Sequence, residues 1–268
     1  IYEGLVRNAD GSLTLEPGLA TSWQVSDDGL TYTFQLRDHI QFHDGTSFNA
    51  QAVKFTFERM LDKHHPYYST GPFPVSFFFS AIDTIDTPDD LTVVFKLNKP
   101  FAPFLSNLAT PAGLIVSPAA VKRYGKDFSR HPNGTGPFKF DEWTANQRVV
   151  VSANDNYWNG KPSLKHVVFR PITDANTRVA EMLSGGIDAI VEVPADNVPL
   201  FAKDNRFKLY EATGPHVWYG MLNASLPPFD DLRVRQAVNY AVNKQNIVKY
   251  ILQGSADVAE GPIPSAFD

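Results

Sequence analysis

Cysteine is absent from this sequence of 268 residues. That excludes structural disulfides, zinc–thiolate sites, iron–sulfur clusters and thiol catalysis. Long apolar runs are missing as well. The stretch Val75 to Phe79 is already interrupted by Ser76, whereas a membrane-crossing helix needs about 20 apolar residues in succession. A basic excess is lacking: Lys and Arg number 24 against 29 Asp and Glu, a net charge of −5. Nucleic acid is therefore not an expected partner, since phosphate binding calls for clustered cations. There is no G-x-S-x-G and no serine in a strained strand-to-helix elbow, so a hydrolytic triad has no nucleophile. What the chain has is apolar material, 43% hydrophobic and 13% aromatic, enough to bury the core of one large or two ordinary domains.

The most patterned stretch is Trp23 to Arg59. Asp28-Gly29 signals a two-residue hairpin turn, because glycine accepts positive φ without strain. The strand after it alternates, putting Tyr32, Phe34 and Leu36 on one face. His43-Asp44-Gly45-Thr46 makes a second turn. Ala50 to Met60 then has helical spacing, with Val53, Phe57 and Met60 on one side.

Further along, residues 64–72 read as a loop and Asp86 to Asp90 as a turn. Strands are expected at Leu91–Leu97, Phe138–Phe140, Arg148–Ala153, Ile187–Ile190, Phe207–Ala212 and His216–Leu222, and a buried one at Val167–Arg170. Helices are expected at Pro118–Tyr124 and from a cap at Thr173 or Asp174 to Gly185-Gly186. A last helix starts from Asp230 or Asp231, carries an apolar stripe from Val234 to Ile251 and closes at Gly254. The fold class is α/β, mixed α+β, without strict βαβ repetition or internal repeats.

Each chemical motif has a plainer structural reading. Gly134-Thr135-Gly136 lacks the third glycine and the following helix of a dinucleotide loop, so it reads as a rigid turn. Asn154 to Gly160 has Trp158 and Asn159 where a calcium loop needs an oxygen ligand and a glycine; it reads as Asx turns anchored by Tyr157 and Trp158. His43 beside Asp44 and the pair His64-His65 find no second cluster, so no metal site and no cofactor are expected. Arg233 and Arg235 read as locally ion-paired with the nearby Asp230 and Asp231 or as a solvated face. The aromatics of Pro66-Tyr67-Tyr68 and of His216-Val217-Trp218-Tyr219-Gly220 offer rigid contact area with a hydrogen-bonding tip, which suits ligand binding as well as core packing.

The run W-x-x-S-x-D-G-x-x-Y-T-F-x-L-R from Trp23 and the run F-H-D-G-x-x-F-x-A-x-x-V from Phe42 resemble the signature of the solute-binding proteins of peptide-type ABC importers. This is the family of dipeptide, oligopeptide and nickel binders. Asn133 to Phe138, Asn154 to Pro162 and Asp230 to Ala237 resemble three more blocks of that family, in its order. The resemblance implies a periplasmic-binding-protein-like, type II, two-lobed fold, of which this chain is an internal piece. Residues 1–117 correspond to the inserted domain of the first lobe and 118–215 to its sheet domain. Residues 216–268 correspond to the hinge strand and first helix of a truncated second lobe.

It further implies a periplasmic, non-enzymatic protein that captures di- or oligopeptides between its lobes and passes them to an inner-membrane permease. Haem, glutathione or nickel-chelate binding, or a sensor or structural role, are the alternatives. Tyr67 and Tyr68, the segment Pro111-Ala112-Gly113, and His216, Trp218 and Tyr219 are the implied ligand-contact residues. Alternation along the strand sends Trp218 and Tyr219 to opposite faces. The apolar stripe of the helix 230–252 is expected to be exposed, disordered, folded back or buried against a second copy.

Overall fold

The computed structural model describes residues 1–211, 214 and 216–264. These fall into two compact units, residues 1–171 and the described residues from 172 onward.

The first unit holds three antiparallel sheets. Strands β1 (Val6–Asn8) and β2 (Leu15–Pro17) form a small ribbon. Strands β3 (Ala20–Val25), β4 (Thr31–Leu36), β5 (Ile82–Asp89) and β6 (Thr92–Leu97) make a four-stranded sheet ordered β3-β4-β6-β5. Strands β7 (Phe138–Thr144), β8 (Arg148–Ala153) and β9 (His166–Phe169) make a meander. Helix α1 (Ala50–Leu61) is followed by the short α2 (Phe104–Leu108) and α3 (Pro118–Tyr124).

The alternation in β4 is realised: Tyr32, Phe34 and Leu36 are buried, as are Val93, Phe95 and Leu97 beside them on β6. Helix α1 packs Val53, Phe57 and Met60 against this layer. Its Phe57 ring meets Phe95 edge-on at 5.2 Å and Phe79 at 5.0 Å, favourable aromatic geometry that adds to area burial. Asn49 caps α1 by accepting from Ala52 N at 3.1 Å, and Ser117 caps α3 by accepting from Ala120 N, with Pro118 at the first helical position.

The second unit holds α4 (Ala175–Ser184), α5 (Val198–Ala202) and α6 (Leu232–Ala241). Asp174 caps α4 through Thr177 N at 2.7 Å, and Gly185 ends it in the left-handed region at φ 77°. Asp231 caps α6.

Several expectations are corrected. The hairpin at Asp28-Gly29 has a four-residue loop, because Ser26 N bonds Thr31 O and Asp28 Oδ1 takes both Ser26 Oγ and Leu30 N. Strand β5 continues through the expected turn at Asp86. Lying at the sheet edge, with a register shift between Asp86 and Asp89, it tolerates Pro88 without losing a ladder bond. β9 forms but is not buried; it is an edge strand with Val168 and Phe169 more than half exposed.

Ile187–Ile190 and His216–Leu222 are not strands, nor is Phe207–Glu211; Ala212 lies outside the described residues. These segments have β-prone composition, but a strand exists only against a hydrogen-bonded neighbour, and among the described residues they have none. The last helix is also broken. Asn243 leaves the helix and recaps a turn at Lys244–Asn246, accepting from Asn246 N at 2.9 Å, before a π turn over Ile247–Ile251. Asparagine favours such caps over helix interiors.

Candidate functional site

The loop after α1 carries two of the expected contact residues. Its backbone folds back through His65 N to Asp62 O and Tyr68 N to His65 O. Tyr67 is half-buried on a small cluster of Val116, Ala120, Val121 and Phe128. Its ring lies 5.8 Å from Phe55 and 5.9 Å from His65. Tyr68 turns the other way, toward Phe73 at 5.9 Å, and lines a hollow of about 370 Å³ with Met60, Leu61, Lys63 and Phe77. The adjacent histidines diverge: His65 stacks edge-on against Phe55, while His64 stays in solvent beside Asp62.

The segment Pro111–Gly113 is a single 3₁₀ turn. Pro111 is exposed, Ala112 is half-buried against the main core, and Gly113 is buried. A Cβ on Gly113 would sit 2.4 Å from the Leu108 carbonyl oxygen, so only glycine fits this close approach. Tyr67 and Ala112 thus rest on different apolar clusters of the first unit.

In the second unit His216 is exposed, Trp218 is 97% exposed and Tyr219 is 73% exposed. Without a strand there are no alternate faces, and both rings are open to solvent. Arg233 pairs with Asp231 at 2.6 Å, as its position suggested, but Arg235 instead donates to the carbonyls of Phe229 and Asp230.

Three polar constellations in the first unit depend on tertiary contacts that the sequence analysis did not anticipate. Glu3 accepts from Thr135 Oγ1 at 2.8 Å, Tyr157 OH at 2.7 Å and Trp158 Nε1 at 3.1 Å, and Arg37 stacks over the Trp158 ring at 4.2 Å. His43 Nε2 lies 2.8 Å from Gly136 O, which makes it the protonated nitrogen, while Nδ1 is buried without a partner. Burial holds this imidazole below its ordinary pKa, against the pull of the Gly136 bond. Asp44 beside it lies below its ordinary range although burial pushes it up, because Ser117 and Thr46 donate to it.

The third is Arg59, buried on the α1 face that also carries Ala52 and Thr56. The i, i+4, i+7 spacing of these three was the available clue. Among the described residues no three histidine or carboxylate side chains gather to hold a metal ion, and no helix is long and apolar enough to cross a membrane.

Residues 14–268 match the family described as bacterial extracellular solute-binding proteins, family 5 (middle region). The glutathione-binding protein GsiB of Pectobacterium atrosepticum is 38% identical over the whole chain, which covers 51% of that relative. The periplasmic binding protein DppA of Helicobacter pylori, solved with the peptide STSA, superposes with a TM-score of 0.86 at 33% identity, over 99% of this chain and 55% of the other. A dipeptide-binding protein of Pseudoalteromonas sp. SM9913 in complex with Met-Leu superposes with a TM-score of 0.90 at 27% identity, over the same shares. The chain spans about half the length of the relatives it matches, and its mixed α/β fold is that of the periplasmic binding proteins. By the extent of these matches, the chain belongs to the family 5 bacterial extracellular solute-binding proteins.

Proposed function

We propose that this chain captures di- or oligopeptides outside the cytoplasm, in the periplasm, as the binding component of an ABC importer. It then delivers them to an inner-membrane permease. The observation that carries the reading is the superposition of nearly the whole chain on two proteins solved with peptides bound. In this reading residues 1–117 form the inserted domain of one lobe and 118–215 its sheet domain, and 216–268 enter the second lobe. Solute binds between lobes and biases them toward closure only by touching both.

Tyr67, Tyr68 and the turn Pro111-Ala112-Gly113 are the contacts proposed for the first lobe, and His216, Trp218 and Tyr219 those for the second. Trp218 and Tyr219 suit the role because an exposed aromatic gains contact area when solute covers it. No cofactor takes part and no bond of the solute is broken.

Glutathione is the second reading, favoured by the 38% identity to the glutathione-binding relative. A thermal-shift screen of the full-length gene product against Met-Leu, Ser-Thr-Ser-Ala and glutathione, with product analysis of each mixture, tests both. Stabilisation by a peptide with the peptide recovered intact is expected. Turnover of the solute, or stabilisation by none, overturns the reading.

A further inference from the structure

Arg59 is only 7% exposed. A guanidinium so deeply buried normally meets a carboxylate, yet among the described residues none is within ion-pair reach, and Nε has no hydrogen-bond partner. Burial lowers its pKa to about 10, so the charge persists at neutral pH. What surrounds it is aromatic: the Phe73 face at 5.0 Å and the Phe128 face at 5.6 Å. Among the described residues, its directed bond runs from Nη1 to Thr70 Oγ1 at 2.9 Å. The Thr70 hydroxyl then donates to the Tyr67 carbonyl at 2.6 Å, and Thr70 N donates to the same oxygen at 3.1 Å. The Tyr67 ring rests on the cluster that contains Phe128.

A methionine would fill the space between Phe73 and Phe128 without burying a charge. What a guanidinium adds is a fixed N–H aimed at Thr70, which leaves the Thr70 hydroxyl a single role, donating to Tyr67. Both ends of the Tyr67–Thr70 turn are thereby tied to α1 and, through Phe128, to the segment that supports the Tyr67 ring.

We propose that Arg59 is a positioning residue for solute capture, acting through the Thr70 hydroxyl to fix the turn that presents Tyr67. This rests on the reading of Tyr67 as a solute contact.

The test uses the full-length gene product with Thr70→Val, Thr70→Ser, Arg59→Met and Tyr67→Ala. Amide exchange at residues 70 and 71 is read alongside calorimetric titration with Met-Leu and glutathione as probes. Thr70→Val is expected to speed exchange about tenfold and weaken the bound probe about fivefold or more, the scale of one lost charge-assisted bond. Thr70→Ser should restore both, with a denaturation midpoint close to that of the wild type. Arg59→Met, where it folds, should match Thr70→Val in exchange.

Wild-type exchange and affinity in Thr70→Val, or failure of Thr70→Ser to restore them, overturns the relay. Wild-type affinity in Tyr67→Ala instead overturns the solute role of Tyr67, and exchange at residues 70 and 71 still decides the relay.

Discussion

The phenol of Tyr157 donates to Glu3 Oε1 at 2.7 Å, joining side chains 154 residues apart in sequence. Trp158 Nε1 and Thr135 Oγ1 complete the shell of this carboxylate. The two loops that resembled a calcium site and a dinucleotide turn are thus docked on one glutamate. Hydrogen bonds to charged groups contribute about 1.5–3 kcal/mol, and a donor left unpaired adds its own penalty. Glu3→Ala should therefore cost about 3 kcal/mol in urea melts and Tyr157→Phe about 1–2 kcal/mol. A loss below about 0.5 kcal/mol for Glu3→Ala would show that the carboxylate is solvated in solution.

Burial and the Glu3 carboxylate raise the Tyr157 pKa. Its contribution is complete below the unfolded phenol pKa of about 10 and is lost as pH rises beyond it.

His43 behaves in the opposite sense. Its folded pKa is depressed, chiefly by burial, so the unfolded chain binds the proton more readily. Stability from this group is complete above the unfolded value of about 6.5 and falls as pH drops through it toward the folded pKa. Lys139 opposes protonation and Asp44 favours it, but neither reverses the direction. His43→Gln can still donate to Gly136 O and does not titrate. Chemical melts from pH 7.5 to 5 should show a shallower loss for the variant, by up to about 1.4 kcal/mol per pH unit. Parallel pH profiles would contradict the buried neutral imidazole.

Gly113 is fixed by space, because the Leu108 carbonyl lies where a Cβ would go. Gly113→Ala should cost about 1–3 kcal/mol through displaced backbone and move the turn Pro111–Gly113 away from α2. Thermal melts with amide exchange at Gly113 and Ile115 check both. A neutral substitution would mean that the turn relaxes freely.

Local pattern made part of this legible. The alternation at Tyr32, Phe34 and Leu36, the stripe at Val53, Phe57 and Met60, and the caps before α4 and α6 each act within a few residues. Strand pairing does not, which is why Ile187–Ile190 and His216–Leu222 had strand composition without becoming strands. The pattern at Val167–Arg170 gave the strand but not its exposure, since burial depends on what packs over it. The stripe from Val234 to Ile251 read as one helix, yet α6 stops at Ala241 and Asn243 caps a separate turn over Lys244–Asn246. The Glu3 shell and the Arg59 relay pair residues through tertiary contact, and only the i, i+4, i+7 burial of Arg59 had a local trace.

Peptide capture is tested most directly by titrating the full-length gene product with Met-Leu in a calorimeter, beside Tyr67→Ala and Trp218→Ala. The account predicts a saturable one-to-one heat in the wild type and about tenfold weaker binding in each variant, the loss of one aromatic contact of about 1.4 kcal/mol. Binding of equal strength in all three proteins would contradict it.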